Sequence, residues 1–322
     1  MDKKTFQDRA SLLADVAEMY YLEEKNQAAI AKTIGVTRSM VSRMLTEARE
    51  SGIVEIRIQR PLQLDADLES ELKEKFGLKD VFVVVTSHRS GERLTRSLGN
   101  AGAQMLARYL VPQKILGLAW GTSISATVDA FEAKEQIPVK VVQLVGAMGA
   151  RNMEYDGHDL VSRITEKLGG EAYYLNAPYL CQSPEVAKSL LETKSVRETI
   201  SVGKKTDIAL LGIGTTAPDY SSFYLAGYVT RRELDDLRQA GAIGDVCGLH
   251  FDLHGQPACE DFCERLVSIR RPDLLSIPLR LGVAGGEGKA NAILGALRSR
   301  YVNVLVIDSV TARKVLELAK SN

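Results

Sequence analysis

Short apolar segments alternate with helical segments over most of the chain after Val81. Those that read as buried strands, rich in β-branched residues, are VFVVVT, ILGLAWG, VKVVQLVG, AYYLN, DIALLGIG and VNVLVID. Most are followed by a segment with helical periodicity. This alternation predicts a largely parallel, doubly wound α/β sheet with helices on both faces. Ligands in such folds bind beyond the carboxyl ends of the strands, so those ends hold the candidate binding residues.

The composition is that of an ordinary globular protein. Its 322 residues suffice for about two domains, and 45% hydrophobic with 25% charged residues excludes a disordered or fibrous chain. No apolar run reaches the roughly 18 residues that span a bilayer, and the start lacks a signal peptide, so we expect a cytoplasmic protein. The 41 basic and 41 acidic residues cancel, so contact with nucleic acid requires a local basic patch.

The segment KNQAAIAKTIGVTRSMVSRML, residues 25–45, predicts two short helices joined by a tight turn. Ala31 is small enough for a neighbouring helix to cross closely, and Gly35 lies where the chain must turn with positive φ. Thr37 is a good N-cap for the second helix, which Val41 would hold against the first. This is the pattern of a DNA-binding helix-turn-helix.

The outer face of the second of these helices carries basic charge. Between Val36 and Thr46 there are two arginines and no acidic residue. Arginine can pair bidentately with guanine, and short hydroxyl side chains reach phosphates or base edges. The alternative is a helical hairpin in a core or interface, with solvated arginines. The predicted DNA-contacting residues are Gln27, Thr37, Arg38, Ser39, Met40, Ser42 and Arg43.

The chain divides into three predicted regions: 1–60, a helix-turn-helix domain; 61–80, a linker helix; and 81–322, an effector-binding and oligomerisation domain. In the first, GIVEIRIQRP alternates apolar and polar residues, as in a short strand such as the wing of a winged helix. The linker has a narrow apolar stripe suited to packing on a partner or on the next domain. The stripe consists of Leu64, Leu68, Leu72 and Phe76.

Two of the predicted strand ends are rich in glycine and small polar residues. Gly121, Thr122 and Ser123 lie between a strand and a helix, where their amides and hydroxyls can receive an anion. Gly212 and Gly214 permit close backbone approach after another strand. The GxGxxA-like motif there lacks an acidic residue at the right distance, which argues against a dinucleotide site.

Two further segments add a carboxylate and a lysine. Asp245 lies in an apolar, glycine-flanked stretch, where a carboxylate can accept hydrogen bonds from sugar hydroxyls. Gly285 and Gly286 precede Lys289 at a predicted helix start, which would bring free amides and an amine together. The spacing differs from a Walker A loop. Together these loops suit a phosphorylated sugar or polyol, although simple turns and a solvated Lys289 would also explain them.

The motifs YYLEEKNQAAIAKTIGVTRSMVSRMLTEARESGIVEIRI, WGTS, VVQLVG, GAIGDV, VAGGEGKANAI and YVNVLVIDSVTA span nearly the whole chain. In them the chain resembles the SorC family of bacterial sugar-responsive transcriptional regulators. The resemblance implies a DNA-binding domain joined to an effector domain that resembles ribose-phosphate isomerases and glucosamine-phosphate deaminases without their catalysis. It also implies a dimer or tetramer whose affinity for double-stranded operator DNA is altered by a phosphorylated sugar. By this resemblance, phosphate would be bound by Thr122, Ser123 and Lys289. Asp245 would face the hydroxyl groups of the sugar.

The sequence departs from particular members of that family. Some carry arginine or lysine where Val145 stands, and Val145 can neither form a Schiff base nor pair with a second phosphate. This counts against covalent capture and against a bisphosphate effector. Asp156 and His158 begin a predicted helix and are candidate polar contacts, although capping alone would explain Asp156. Glu287 would repel phosphate, so we expect its side chain to point away from the phosphate site at Lys289.

An enzyme is one alternative to a regulator. A sugar-phosphate isomerase or deaminase fused to a DNA-binding domain needs an acid/base histidine near the loop GIGTTAPDYSSFY, which has none. We therefore predict no catalytic residues and no enzyme activity, with His158 the remaining argument for an isomerase.

A zinc site is the other alternative, because histidine and cysteine occur together in LHFDLHGQPACEDFC. His250 and His254 have three residues between them, as do Cys259 and Cys263, rather than a Cys-x-x-Cys spacing. The segment FDLHGQ predicts a hairpin with its turn at His254 and Gly255. Ordinary buried cysteines are the commoner outcome, and we predict neither a metal nor a cofactor.

Overall fold

The computed structural model describes residues 3–54, 61–87, 90–133, 135–149 and 155–321, with side chains from residue 9 onward. The chain forms two compact units, Met1–Pro61 and Leu62–Asn322. The strand predicted within GIVEIRIQRP falls mostly outside the described residues. None of the described helices has the length and apolar character needed to cross a bilayer.

The first unit consists of three helices: α1 Lys3–Tyr21, α2 Gln27–Ile34 and α3 Arg38–Glu50. Apolar residues at helical spacing from all three form one small core, including Val16, Ile30 and Val41, which are fully buried. The two helices predicted within residues 25–45 are present as α2 and α3, because each helix of this unit buries one apolar stripe against the other two.

The second unit contains a sheet in which every pair of neighbouring strands is parallel, in the order β1-β10-β9-β5-β2-β3-β4. Its strands are β1 Asp80–Val84, β2 Ile115–Leu118, β3 Lys140–Gln143, β4 Glu171–Tyr173, β5 Ile208–Gly212, β9 Leu279–Val283 and β10 Val304–Asp308. A smaller antiparallel sheet is formed by β6 Gly214–Thr215, β7 Gly244–Val246 and β8 Leu249–Phe251. The predicted α/β class is confirmed.

Helices cover both faces of the large sheet. Successive residues of β10 show this, because Leu305 and Ile307 join one apolar core while Val304 and Val306 join the other. The helices are α4 Ala66–Phe76, α5 Glu92–Tyr109, α6 Thr122–Ala130, α7 Gly157–Leu168, α8 Pro184–Glu192, α9 Lys194–Gly203, α10 Ser222–Leu225, α11 Arg231–Gln239, α12 Glu260–Glu264, α13 Arg271–Ser276, α14 Ala290–Arg298 and α15 Ser309–Ser321.

The apolar stripe of the predicted linker helix packs within the second unit. Leu72 of α4 is fully buried and Leu68 is 9% exposed, both in the core that also includes Leu316 of α15. Leu64 is 36% exposed, and Phe76 packs at the edge of the same core. Of the two predicted uses of this stripe, the structure shows packing against the domain that follows it in sequence.

Candidate functional site

Capping residues define the turn between α2 and α3. The side chain of Asn26 accepts hydrogen bonds from the amides of Ala28 and Ala29 at 3.1 and 2.9 Å, which fixes the start of α2. Gly35 ends that helix at φ 72°, as predicted, and its N–H donates to the Ala31 carbonyl. The Thr37 hydroxyl then accepts from the Met40 amide at 3.3 Å and begins α3. Capping hydrogen bonds between residues close in sequence therefore fix the turn between the two helices.

The predicted DNA-contacting side chains of α3 lie on its solvent side. Val41 and Met44 are buried against the other helices, which turns the opposite face of α3 outward. Gln27, at the start of α2, is half-buried. We call the exposed side chains the recognition face: Thr37, Arg38, Ser39, Met40, Ser42 and Arg43.

An ion pair on another side of this unit ties α1 to α3. The Arg9 guanidinium donates to both carboxylate oxygens of Glu47, at 3.2 and 2.5 Å, and lowers the pKa of that carboxyl. Within the described residues no such carboxylate pairs with Arg38 or Arg43, so the charge of the recognition face remains available to a ligand.

The second unit has a cavity at the carboxyl ends of β2 and β5. These strands are neighbours in the large sheet. The next strand of that sheet after β2 is β3, on the side of β2 away from β5, whereas the next after β5 is β9, on the opposite side. Such a reversal is the place where doubly wound folds bind ligands. Seven predicted effector residues line the cavity: Gly121, Thr122, Ser123, Gly212, Gly214, Asp245 and Lys289.

The start of α6 forms one side of the cavity. Gly121 precedes it at φ 124°, a conformation that favours glycine, and its N–H donates to the Tyr155 carbonyl at 3.2 Å. No side chain in the described part of the chain caps this helix. The first-turn amides of a helix lack intrahelical acceptors, so those of Thr122 and Ser123 suit an anion.

Lys289 brings an amine to the same cavity. Its Nζ donates to the Ile213 carbonyl at 3.1 Å, and an ammonium group has three donors. Burial lowers the pKa of Lys289, while the negative charge of Asp245 acts in the opposite direction. An anion bound here would stabilise the ammonium form and satisfy its remaining donors.

Asp245 is held in place by two glycines. Its Oδ2 accepts from the Gly248 amide at 2.9 Å, across the tight turn at Cys247 and Gly248, where φ is 54° and 76°. Its Oδ1 lies over Gly214, where a Cβ atom would come within 2.0 Å of it. The close approach predicted at Gly214 is therefore made by the protein's own carboxylate.

Gly285 and Gly286 do not line the cavity. The Gly286 amide donates to Asp308 Oδ2 at 2.9 Å, and a Cβ on Gly285 would come within 2.4 Å of the same oxygen. Asp308 is fully buried and also accepts from Thr311. The amide of Gly286, expected to be free, is instead engaged because a buried carboxylate must be hydrogen-bonded.

Asp156 and His158 also lie outside the cavity lining. Asp156 is buried and caps α7, accepting from the His158 amide at 2.8 Å and from the Met148 amide at 2.5 Å. The exposed His158 ring stacks on Tyr174, with centroids 4.1 Å apart. Capping accounts for Asp156, and the segment 150–154 just before it is outside the described residues.

Val145, which differs from some family members, and Glu287 lie away from the cavity lining as well. Val145 is fully buried and forms a bridge with Ser268. Glu287 is exposed to solvent, as expected.

Three aromatic residues of the cavity were missed by sequence reasoning. Trp120, Tyr179 and Phe223 contact one another, with ring centroids 6.0, 5.8 and 5.4 Å apart. Trp120 and Tyr179 come from separate loops and Phe223 from the short helix α10, so no periodic pattern links them in the sequence. The one available signal was that Trp120 directly precedes the Gly121 loop.

The four histidine and cysteine residues considered for zinc do not form one cluster in the fold. His250 is buried, with Nδ1 2.9 Å from the Gly248 carbonyl and 3.8 Å from Cys263 Sγ, and burial lowers its pKa. His254 is exposed, in a turn where Gly255 has φ 79°. No group of three potential metal ligands occurs in the described part of the chain.

Comparison with known proteins decides the family. Residues 60–317 match the Sugar-bind family model, a sugar-binding domain. A sorbitol operon regulator from Klebsiella pneumoniae is 31% identical over 312 residues, which cover 96% of this chain and 99% of that protein. The chain belongs to the SorC family of transcriptional regulators. Another SorC-type relative, a deoxyribonucleoside regulator from Bacillus subtilis, is 30% identical over 96% of this chain and 98% of its own length.

Solved structures of transcriptional regulators share the fold. The full-length sorbitol operon regulator SorC from Klebsiella pneumoniae superposes with a TM-score of 0.72 at 30% identity, covering 96% of this chain and 99% of that chain. A transcriptional regulator from Streptococcus pneumoniae has a TM-score of 0.73 at 27% identity, covering 79% of this chain and 97% of that chain. SorC membership places the chain with regulators rather than with isomerases or deaminases.

Proposed function

We propose that the protein is a cytoplasmic, DNA-binding transcriptional regulator whose operator affinity is controlled by a phosphorylated sugar or polyol. Its target would be a carbohydrate or nucleoside catabolic operon. The observation that carries the proposal is the single cavity shared by the start of α6, Lys289 and Asp245.

The anion and the hydroxyls of such a ligand have separate partners in that cavity. Helix-terminal amides and a lysine suit a phosphate, which both the partial charge of the helix end and the ammonium charge stabilise. Asp245 would repel a phosphate placed against it but accepts hydrogen bonds from hydroxyl groups. The residues proposed to contact the phosphate are Thr122, Ser123 and Lys289, since the Gly121 amide is engaged with the Tyr155 carbonyl.

DNA binding would use the recognition face of α3. Arg38 and Arg43 are exposed and suited to base edges or phosphates, while the hydroxyl residues beside them suit phosphates. As a homodimer or tetramer, the protein would present two such helices about one helical turn of DNA, roughly 34 Å, apart. Effector binding would favour one arrangement of the assembly and so change DNA affinity.

Trp120 provides the test of effector binding, because it lines the cavity next to the Gly121 loop. Its fluorescence should change saturably with one phosphorylated compound from a panel of sugar and polyol phosphates, but not with the unphosphorylated forms. Lys289→Ala should abolish that change, whereas Lys188→Ala, which alters an exposed lysine of α8, should retain it. Equal responses from both variants would contradict the phosphate assignment.

A further inference from the structure

The cavity wall contains a buried tyrosine whose hydroxyl proton has no acceptor. Tyr179 is 1% exposed and lines the cavity, and its hydroxyl has no hydrogen-bond acceptor within the described residues. The Trp120 indole N–H beside it can only donate, so it cannot take the hydroxyl proton. Buried polar groups are nearly always paired in folded proteins, so an exception calls for an explanation. A ligand atom in the cavity would supply the missing partner.

The position of this hydroxyl is set by the surrounding structure. The Tyr179 amide donates to the Ala147 carbonyl and its carbonyl accepts from the Val267 amide, both at 3.0 Å. At the other end of the side chain, a Cβ atom on Gly248 would lie 2.4 Å from the hydroxyl oxygen. The hydroxyl therefore reaches its place only because residue 248 is glycine.

The neighbouring charge indicates which kind of ligand atom would fit. Burial and the negative charge of Asp245 hold the pKa of Tyr179 well above its ordinary value, so the phenol remains a donor. Asp245, on the same cavity wall, is an acceptor. A ligand hydroxyl both donates and accepts, so it can satisfy the two side chains together, whereas a phosphate oxygen would be repelled by the carboxylate.

We propose that Tyr179 donates a hydrogen bond to a hydroxyl oxygen of the effector and, with Asp245, selects ligands that carry a hydroxyl group apart from their anionic group. Tyr179 is then a binding and specificity residue that distinguishes hydroxylated phosphates from simple anions. This inference rests on the proposed function, since it assumes that the cavity holds the effector with its anion at Lys289.

Tyr179→Phe tests the inference, because it removes one oxygen atom and leaves the ring contacts in place. Binding is measured by calorimetry with sorbitol 6-phosphate, ribose 5-phosphate, 2-deoxyribose 5-phosphate and inorganic phosphate. The variant should bind the tightest-binding sugar or polyol phosphate about tenfold more weakly, as expected for one lost hydrogen bond. Its affinity for inorganic phosphate should equal that of the wild type. Tyr228→Phe is the matched control, because Tyr228 packs near Trp120 but does not line the cavity.

A second measurement separates ligand contact from a structural role. Removing a hydroxyl whose proton has no internal acceptor should leave the melting temperature of the ligand-free protein nearly unchanged, because the buried, unpaired donor is removed together with its oxygen. A fall of more than about 2 °C would mean that the hydroxyl stabilises the fold and would overturn the inference.

The outcomes distinguish this inference from the proposed function. Equal binding of the sugar phosphates by wild type and Tyr179→Phe overturns the role of Tyr179 and leaves the proposed function in place. An equal loss of affinity for inorganic phosphate would show a general disturbance of the site and would also overturn the role of Tyr179. Absence of binding by every compound to the wild-type protein overturns both.

Discussion

Gly214 and Asp245 face each other across the β6–β7 pair, and neither can be changed without affecting the other. The carboxylate stays in the cavity wall because Gly214 leaves room for Oδ1 and the Gly248 amide holds Oδ2. Sequence reasoning selected both Gly214 and Asp245, but it assigned the free space at Gly214 to a ligand. The contact that needs this space is long-range, so local sequence could not reveal it.

Gly214→Ala should therefore destabilise the protein by about 1–3 kcal/mol, because its Cβ would overlap Asp245 Oδ1. The free energy of unfolding, measured with denaturant, provides the check. Gly203→Ala is the matched control: a Cβ there would lie 3.5 Å from Leu144, an ordinary contact, at the last residue of α9. That variant should stay within about 1 kcal/mol of the wild type. Similar losses in both variants would contradict the role given to Gly214.

At the scale of elements, α3 combines a stable N-cap with an exposed basic face. Thr37 begins the helix, while the buried Val41 and Met44 orient it. This element was predictable because capping, turn and helical periodicity all act over a few residues. Its exposed face follows from the same pattern, since the residues that are not buried against α1 and α2 must face solvent.

Arg38→Ala or Arg43→Ala should weaken specific DNA binding by about 1–3 kcal/mol if the residue contacts a base. Fluorescence anisotropy would measure this with a DNA sequence that the wild-type protein selects from a random pool. Arg49→Ala is the control, because Arg49 lies in the last turn of the same helix and outside the recognition face. Unchanged affinity in both test variants would refute the assignment of this face.

At the scale of the whole molecule, the proposed regulation is a thermodynamic coupling between effector and DNA. Linkage requires that the factor by which saturating effector changes DNA affinity equals the factor by which saturating DNA changes effector affinity. We expect the two factors to agree, with a coupling of about 1–3 kcal/mol, when each is measured by titration at fixed salt concentration. A factor of one, meaning that saturating effector leaves DNA affinity unchanged, would refute the proposed regulation.

Lys289→Ala should separate the two activities. Its effector-free affinity for DNA should equal that of the wild type, because Lys289 belongs to the second unit and the recognition face to the first. The effect of the phosphorylated compound on DNA binding should be lost. A parallel loss of effector-free DNA binding, with Lys188→Ala unaffected, would instead indicate a folding role for Lys289.

The sequence by itself determined the elements and their class. Apolar periodicity predicted the helices of the first unit and the buried strands of the second, because each pattern reflects burial within a few residues. Motifs at strand ends also identified the side chains at β2 and β5, because parallel strands bring their carboxyl ends to one edge.

Only the tertiary structure decided which of these residues share a cavity. It brought Trp120, Tyr179 and Phe223 together from distant segments of the chain. It also used the Gly286 amide and Asp156 for internal hydrogen bonds. The physical reason is that a buried carboxylate or aromatic ring must be satisfied by whatever surrounds it in space. Those surroundings are set by packing between elements far apart in sequence, where no local pattern records them.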